Sequence, residues 1–585
     1  RYALMRNATP PGQASLRLRF DAGSLMETDE QQGLAHFLEH MAFNGSTHVP
    51  EGEMVRILQR LGLSFGADTN AFTSFGQTVY KLDLPNTHDD TVDASLMLLR
   101  EAAGELTIDQ GAMDRERGVV LSEERTRDSP AYRVLKARLA FMLRGQRLPN
   151  RMPIGQVDVL THANRDLIAS FYRAYYRPER AVLVAVGDFD LDAMEAKIRS
   201  RFGDWQAVGP AGPEPDLGVV QRRGAQTQLV VQAGAPTALQ IAWVTPPDTS
   251  IDSLARRRHD IIEQLGLNVI NRRLYTLARA GDPPLIAGAV FRGDQARSAR
   301  MTTMYVTAQP DRWRQALAAA EQEARRAAQF GARQDELDRE IAETRANLQL
   351  AAAQANTRRT PDLADTVIGS VDDRTVVTSP ADDLALFNEV VQTLTLSQVS
   401  ASMAEVFQGN GPLVFMSTPS PIEGGQQTLA QAFETSRRTP VSAPAALATV
   451  TWPYESFGPP GQVAEQREIT DLDTTLVRFA NGVRLTVRPS RFRENQILVK
   501  VRFGAGLLGL PRDRQNMNWA GGAFVEGGLG RISANDMEQV LASRVYGAQY
   551  AIEDDAFVLS GTTQRDDLPV QMQVLAGYVS DPGWR

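Results

Sequence analysis

The chain contains two similar stretches, one near each end, and both have the pattern of a β-strand. The stretches are Arg17-Leu-Arg-Phe-Asp-Ala-Gly23 and Lys500-Val-Arg-Phe-Gly-Ala-Gly506. Apolar and charged residues alternate in the segments that they end, which is the period of a half-buried strand. The similarity keeps its order downstream, where residues 54–58 resemble 537–541 and residues 65–67 resemble 546–548. Order-preserving similarity of this kind indicates duplication of a whole domain.

The length and the middle of the chain predict a multidomain α+β protein. A chain of 585 residues is too long for one hydrophobic core and suggests about three to four domains. Strand-like runs at residues 239–244 and 301–306 are mixed with helical stretches at 312–329 and 334–355, without a regular βαβ rhythm. We therefore predict α+β domains in which antiparallel sheets are flanked by helices.

Composition and the repeat together predict the domain boundaries. We predict a first domain at residues 1–215, a second at 216–420, an inter-half linker at 421–470 and a partial third domain at 471–585. The linker is predicted because Pro, Gly, Ser, Ala and Thr dominate that stretch. The third domain stops in mid-repeat, whereas the first copy continues for about another hundred residues. With a start at Arg1 rather than Met, we expect a mature or trimmed piece of a longer polypeptide whose fourth domain is absent.

Composition argues against several classes of function. The formal net charge is −8 and no long run of Lys or Arg is present, so we expect no nucleic-acid binding, which needs a basic surface. No apolar run reaches the length of a membrane span, so no membrane span is predicted. The absence of cysteine leaves histidine and carboxylate side chains as the candidate ligands for a zinc ion.

The chemistry of the chain is concentrated in His36-Phe-Leu-Glu-His40. Residues four apart on a helix share a face, so His36 and His40 can hold one metal ion. Glu39 lies close enough to take a proton from a water molecule at that metal, as zinc hydrolysis requires. The order H-x-x-E-H is the reverse of the commoner H-E-x-x-H zinc-protease motif. The alternative is that both histidines are ordinary helix residues.

The second copy of the repeat lacks this motif. At the positions of the three motif residues it has Ala523, Glu526 and Gly527. The alignment therefore predicts a chemically active first copy and a silent second copy that cannot bind a metal ion.

Two further segments offer a third ligand and a place for a substrate. A helix predicted from Ile108 to Thr126 carries Glu116 and Glu123 seven positions apart, so they share a face. Either glutamate could complete a His/His/Glu set, and the alternative is a solvated helix surface. Residues 70–73 are predicted to form an edge strand that can pair with an extended peptide, and the alternative is a plain edge strand.

These motifs resemble those of the pitrilysin, insulysin and mitochondrial-processing-peptidase family of inverted zinc metallopeptidases. The resemblance is carried by Gly33–Gly45, Phe65–Thr73, Arg115–Glu123 and Phe171–Arg180. It implies that one Zn²⁺ per chain is held by His36, His40 and Glu123, with Glu39 as the general base. It also implies that Glu116 is a catalytic-site residue that orients a histidine. The substrate contacts that it implies are Asn70, Ala71 and Phe72.

The resemblance also implies an architecture and a function. It implies similar α+β domains arranged as two clamshell halves around a chamber, and it is closest to the bacterial single-chain, periplasmic members. The implied function is a zinc endopeptidase acting on peptides or small unfolded proteins. The alternative is a non-catalytic structural or peptide-binding subunit of the same fold. A homodimer, or a partner chain that supplies the missing domain, is a further expectation.

Overall fold

The structure is a computed structural model that describes residues 1–446, 449–514, 519 and 521–584. The chain divides into two compact units. The first contains residues 1–332, 359–377 and 397–444, and the second contains residues 333–358, 378–396 and 445–585. Among the helices of the described ranges, none is long and apolar enough to cross a membrane.

The first unit begins with a five-stranded sheet in the order β1-β5-β2-β4-β3. Its strands are β1 (Tyr2–Arg6), β2 (Ala14–Phe20), β3 (Thr69–Thr73), β4 (Thr78–Leu84) and β5 (Ala181–Gly187). β1 runs parallel to β5, and the other neighbours are antiparallel. The order places β3 at an edge of the sheet, as predicted for residues 70–73.

The helices that accompany this sheet include the two predicted to carry the chemistry. They are α1 (Leu34–Met41), α2 (Glu53–Arg60), α3 (Asp89–Gly104), α4 (Gln110–Arg127), α5 (Pro130–Met142), α6 (Val157–His162), α7 (Arg165–Tyr175) and α8 (Leu191–Phe202). Asp109 caps α4 because its side chain accepts a hydrogen bond from the Ala112 N–H at 2.9 Å. Gly33, at φ 102°, precedes α1. A Cβ at this position would lie 2.8 Å from the Cα of Gly155, so the close approach requires glycine.

A second five-stranded sheet in the first unit repeats the order of the first. Its strands are β6 (Gln226–Val231), β7 (Ala238–Thr245), β8 (Ala287–Gln295), β9 (Ala299–Thr307) and β10 (Asn410–Thr418). The order is β6-β10-β7-β9-β8, with β6 and β10 parallel and the other neighbours antiparallel. β7 and β9 are the strands predicted at residues 239–244 and 301–306.

Helices α9 to α15 follow in the chain. They are α9 (Leu254–Ala278), α10 (Trp313–Phe330), α11 (Gln334–Ala353), α12 (Thr360–Asp373), α13 (Pro380–Thr393), α14 (Leu396–Glu405) and α15 (Gly425–Arg438). α10 and α11 confirm the predicted helical stretches at 312–329 and 334–355. α11 and α13 pack on each other in the second unit, whereas α12 and α15 belong to the first.

β2 is buried on both faces, although its alternating pattern predicts burial of one face. All seven of its residues are buried. Arg17, on the face opposite the core residues, donates to Asp365 of α12 at 2.8 Å and to Asp83 at 2.7 Å. Arg19 donates to Asp372 of α12 at 2.7 Å. The charged positions read as solvent-facing, but α12 covers them and supplies the carboxylates that compensate their burial.

The structure differs from the linker predicted at residues 421–470. Residues 425–438 form α15, in which Leu429 and Phe433 are buried and which packs on α10 and β6. Residues 463–469 form a strand, β11. Small polar residues give α15 a linker-like composition, but its two buried apolar side chains have helical spacing. Residues 447 and 448 of this stretch lie outside the described residues.

The second unit contains the predicted repeat of the first sheet. Its strands are β11 (Val463–Ile469), β12 (Thr474–Phe479), β13 (Arg484–Val487), β14 (Ile497–Phe503), β15 (Gln549–Ile552) and β16 (Phe557–Thr563). Its remaining helices are α16 (Ala523–Glu526), α17 (Ala534–Val540) and α18 (Leu568–Ser580). The order β14-β16-β15 matches β2-β4-β3 of the first sheet, as the aligned sequences require.

Candidate metal centre

Helix α1 carries three of the predicted site residues on a buried segment. Its apolar residues Leu34, Phe37, Leu38 and Met41 are buried in the core, which fixes the helix against the sheet. His36 and Glu39 are also buried, and His40 is partly buried. The two imidazole rings meet edge to face, with their centroids 4.8 Å apart.

The first turn of α1 is held by a buried carboxylate that the motif does not contain. Glu27 accepts hydrogen bonds from the N–H groups of Gly33 at 3.0 Å and Ala35 at 2.8 Å. These are two of the donors that a helix leaves unpaired at its N-terminus. Complete burial raises the pKa of Glu27 to about 8, against the lowering effect of these two hydrogen bonds.

His36, His40 and Glu123 converge on one point. Glu123 Oε2 lies 3.5 Å from His36 Nε2 and 3.4 Å from His40 Nε2, and the three ligand atoms all lie within 4.8 Å of one another. A tetrahedral zinc ion with bonds of about 2.0–2.1 Å places its ligand atoms about 3.4 Å apart. Two imidazoles and a carboxylate also leave a fourth position open, so these residues fit a catalytic zinc ion.

The two histidines differ in how their outer nitrogens are held. His40 Nδ1 lies 2.7 Å from Glu116 Oε1, and Asn44 donates to Glu116 Oε2 at 3.1 Å. The contact between His40 and Glu116 places the His40 proton on Nδ1 and leaves Nε2 for a metal. The buried Nδ1 of His36 has no hydrogen-bond partner among the described residues.

The protonation tendencies of the site follow from these contacts. Burial, with a smaller contribution from His40, lowers the pKa of His36 to about 4, so this imidazole is neutral near pH 7. Burial works in the same direction on His40, but the hydrogen bond to Glu116 and the neighbouring carboxylates outweigh it and raise its pKa. The hydrogen bond from His40 lowers the pKa of Glu116. Glu116 is therefore ionised and suited to orient the ring.

Glu39 has a different environment from the other carboxylates. It is 8% exposed, and burial raises its pKa, although a hydrogen bond from Thr73 opposes the shift. Thr73 Oγ1 donates to Glu39 Oε2 at 2.6 Å. A buried carboxylate beside a candidate metal site is suited to accept a proton from water.

The predicted substrate residues lie on β3. Asn70 and Phe72 are exposed, and Ala71 is half-buried. The Ala71 N–H donates to Asn70 Oδ1 at 2.8 Å instead of to a strand. β3 pairs with β4 on one side and has no other neighbour in its sheet among the described residues, so its free edge can receive an extended chain.

Several residues of the site were not expected from the motifs. Thr73 and Glu27 contact Glu39 and the start of α1, as described above. Arg127 donates to Glu123 Oε1 at 2.5 Å, which leaves Oε2 facing the imidazoles. Strand alternation could have indicated Thr73, because residues two apart on a strand share a face and Ala71 lies on the half-buried face.

Among the described residues, the repeat of the motif in the second unit has no comparable cluster. Ala523 and Glu526 are the end residues of α16, and the described residues contain one group of three potential metal ligands, which is the one in the first unit. The arrangement agrees with a single metal centre in the first copy.

Two family models match the chain. The model described as insulinase (peptidase family M16) matches residues 2–153, which include all the site residues named above. The model of the M16 peptidase inactive domain matches residues 162–344. Together the two models cover more than half of the chain.

Curated relatives match nearly the whole chain. The probable zinc protease PqqL of Haemophilus influenzae is 25% identical over 584 residues, covering 97% of this chain and 62% of that protein. The probable zinc protease PqqL of Escherichia coli is 24% identical, covering 92% of this chain and 58% of that protein. The chain thus spans about three fifths of the length of these two relatives.

Solved structures share the fold. The periplasmic protease PqqL from Escherichia coli has a TM-score of 0.70 at 20% identity, covering 99% of this chain and 65% of that chain. Pitrilysin has a TM-score of 0.63 at 17% identity, covering 99% of this chain and 61% of that chain. The predicted fold class, sheets flanked by helices as in these clamshell proteases, is confirmed. The chain belongs to the insulinase (M16) family of peptidases.

Proposed function

We propose that this protein is a zinc-dependent endopeptidase that hydrolyses peptides or small unfolded proteins. The observation that carries the proposal is the convergence of His36, His40 and Glu123 at zinc-ligand spacing, with Glu39 beside them on α1. A zinc site with three protein ligands and an adjacent buried carboxylate is the donor set of a metal-dependent hydrolase.

The chain's own residues divide the work of peptide hydrolysis. A zinc ion held by the three ligands would acidify water and polarise the scissile carbonyl. Glu39 would accept the proton of the attacking water and return it to the leaving amine. Glu116 would keep His40 in one orientation and tautomer through the contact at 2.7 Å.

The free edge of β3 is the proposed place for the substrate. An extended peptide would pair with the strand through backbone hydrogen bonds, which give affinity without a strict sequence requirement. Asn70, Ala71 and Phe72 are the proposed contacts. Because the Ala71 N–H donates to Asn70 Oδ1, a peptide carbonyl that pairs with this N–H has to displace the Asn70 side chain.

We also propose a bacterial periplasmic location and a closed chamber for the whole protein. The support is the similarity to relatives of the PqqL type, one of which is named as a periplasmic protease, and the shared clamshell fold. These relatives are longer than this chain. The chamber is therefore proposed for the complete protein, in which it is formed by one chain, by a homodimer or together with a partner chain.

The test compares the wild-type chain with Glu39→Gln. Both are expected to bind about one zinc per chain by metal analysis, whereas cleavage of a quenched fluorescent peptide is expected from the wild type alone. Glu30→Gln, which removes the same charge from an exposed residue, is the matched control and should cleave normally. A fully active Glu39→Gln would overturn the role of the base. If the wild-type protein binds peptide but neither binds zinc nor cleaves the peptide, the result would favour a non-catalytic subunit.

A further inference from the structure

A residue of the proposed substrate strand holds the side chain of the proposed general base. Thr73 is the last residue of β3, and its Oγ1 donates to Glu39 Oε2 at 2.6 Å. Within the described part of the chain, this is the hydrogen bond that the Glu39 side chain makes, and its Oε1 has no partner. One oxygen of the base is thus tied to β3 while the other is free to meet a water molecule.

The direction of this hydrogen bond follows from the acceptor, because a carboxylate that acts as a base has no proton to donate. Thr78 Oγ1 lies 3.4 Å from Thr73 Oγ1 and is the other candidate partner. Thr78, however, donates its own proton to the carbonyl oxygen of Ala22 at 3.0 Å. The contact with Glu39 Oε2 is also the shorter of the two, so the Thr73 proton is directed to Glu39 and not to Thr78.

The alternation of β3 separates this contact from the residues that face solvent. Asn70 and Phe72 are exposed, whereas Thr69, Ala71 and Thr73 are buried or half-buried on the opposite face. β3 packs against α1, and Thr73 reaches the carboxylate of Glu39 from there. The strand therefore presents one face outward and uses the other to contact the catalytic helix.

We infer that Thr73 is a positioning residue, which holds Glu39 Oε2 so that Oε1 is presented to the attacking water. The inference rests on the proposed function. Without the hydroxyl the carboxylate would lose its anchor and spend less time in the productive arrangement, because small displacements of a catalytic group reduce the rate strongly. Ground-state peptide binding uses the backbone edge of β3 and does not need this hydroxyl.

The test uses three threonine variants of the intact chain. Thr73→Val removes the donor and keeps the shape, and Thr73→Ser keeps the donor. Thr69→Val is the matched control, because Thr69 lies on the same face of the same strand and its buried Oγ1 has no partner among the described residues. The readouts are kcat and KM for a quenched fluorescent peptide, bound zinc, and the thermal midpoint.

Thr73→Val is expected to lower kcat about tenfold to hundredfold, the effect of losing a hydrogen bond to a charged group. KM should stay within about twofold, because ground-state binding is unchanged. Bound zinc should be unchanged, and Thr73→Ser and Thr69→Val should keep kcat near the wild-type value. A wild-type kcat in Thr73→Val, or a Thr73→Ser variant as slow as Thr73→Val, would overturn the inference.

A separate measurement distinguishes this inference from the proposed function. If the wild type binds zinc but cleaves no peptide, the proposed function fails. Crystal structures of the wild type and Thr73→Val would then decide the positioning role. Glu39 should occupy one rotamer in the wild type and several in the variant, and a single shared rotamer would refute the role of Thr73.

Discussion

Replacing Glu116 should weaken metal binding without removing a metal ligand. Glu116 Oε1 holds His40 Nδ1 at 2.7 Å, and its Oε2 accepts from Asn44 at 3.1 Å. Glu116→Gln keeps the shape of the side chain but removes its charge. Its amide oxygen can accept from only one of the two donors, so the other N–H meets an amide NH₂ and loses its partner.

The size of the effect can be worked from this contact. Mutation of such an outer partner of a metal-binding histidine costs about tenfold to hundredfold in metal affinity, or about 1.4–2.7 kcal/mol. Glu116→Gln should fall near the tenfold end, since one acceptor remains for His40. Glu116→Leu removes both acceptors and should fall near the hundredfold end. The His36 ring has no such partner among the described residues, so nothing there compensates the loss.

The assay is competition for Zn²⁺ between the purified chain and a chelating dye at neutral pH, which requires no catalytic activity. Glu124→Gln is the control, because Glu124 lies on the same helix and the change removes the same charge. Its zinc affinity should match that of the wild type. If Glu116→Leu binds zinc as tightly as Glu124→Gln, the outer hydrogen bond does not orient His40 and the reasoning fails.

Two further predictions concern the stability of the first unit. Burial raises the pKa of Glu27 from 4.5 to about 8. Its contribution to stability is therefore fully present below about pH 4.5 and is lost as the pH rises toward 8. The contribution is on the order of a few kcal/mol. Urea unfolding across this range should show a smaller loss of stability for Glu27→Gln than for the wild type, and parallel curves would contradict the assignment. Asp365→Asn should lower the free energy of unfolding by about 1–2 kcal/mol, because buried Arg17 loses one of its two carboxylate partners. An unchanged urea midpoint would show that Asp83 alone satisfies Arg17.

The helix faces that carry the candidate metal ligands could be predicted because the spacing of their residues is local. His36 and His40 lie on α1, and Glu116 and Glu123 lie on α4, so each pair shares a helix face by sequence separation alone. Sequence separation does not say which glutamate meets which nitrogen. In the structure Glu116 lies at His40 Nδ1, and Glu123 lies near the Nε2 atoms. That assignment depends on how the two helices pack.

The contacts that the sequence did not reveal join elements that are distant along the chain. Arg17 and Arg19 alternate with core residues, a pattern that predicts exposure to solvent, yet their partners Asp365 and Asp372 lie 348 and 353 positions away. The contact of Thr73 with Glu39 likewise depends on the packing of an edge strand on a helix. The small polar residues of α15 have the composition of a linker, so this helix was not predicted. Composition and periodicity indicate which residues of a segment need partners, but they do not identify the segment that contains those partners.

The comparison of the sheets indicates where the chemistry of this fold resides. The second sheet has the same order as the first, and α9, which precedes its edge strand β8, carries His259 and Glu263 four positions apart. Glu263 accepts from Arg300 at 3.0 Å and lies 3.5 Å from Arg292, so its charge is neutralised by arginines. In the second unit the corresponding helix has Ala523 in place of a histidine. A sheet of this order is therefore not sufficient for a site. The candidate site of the first unit also has two imidazoles on α1 and a carboxylate from α4 that lies near both of them.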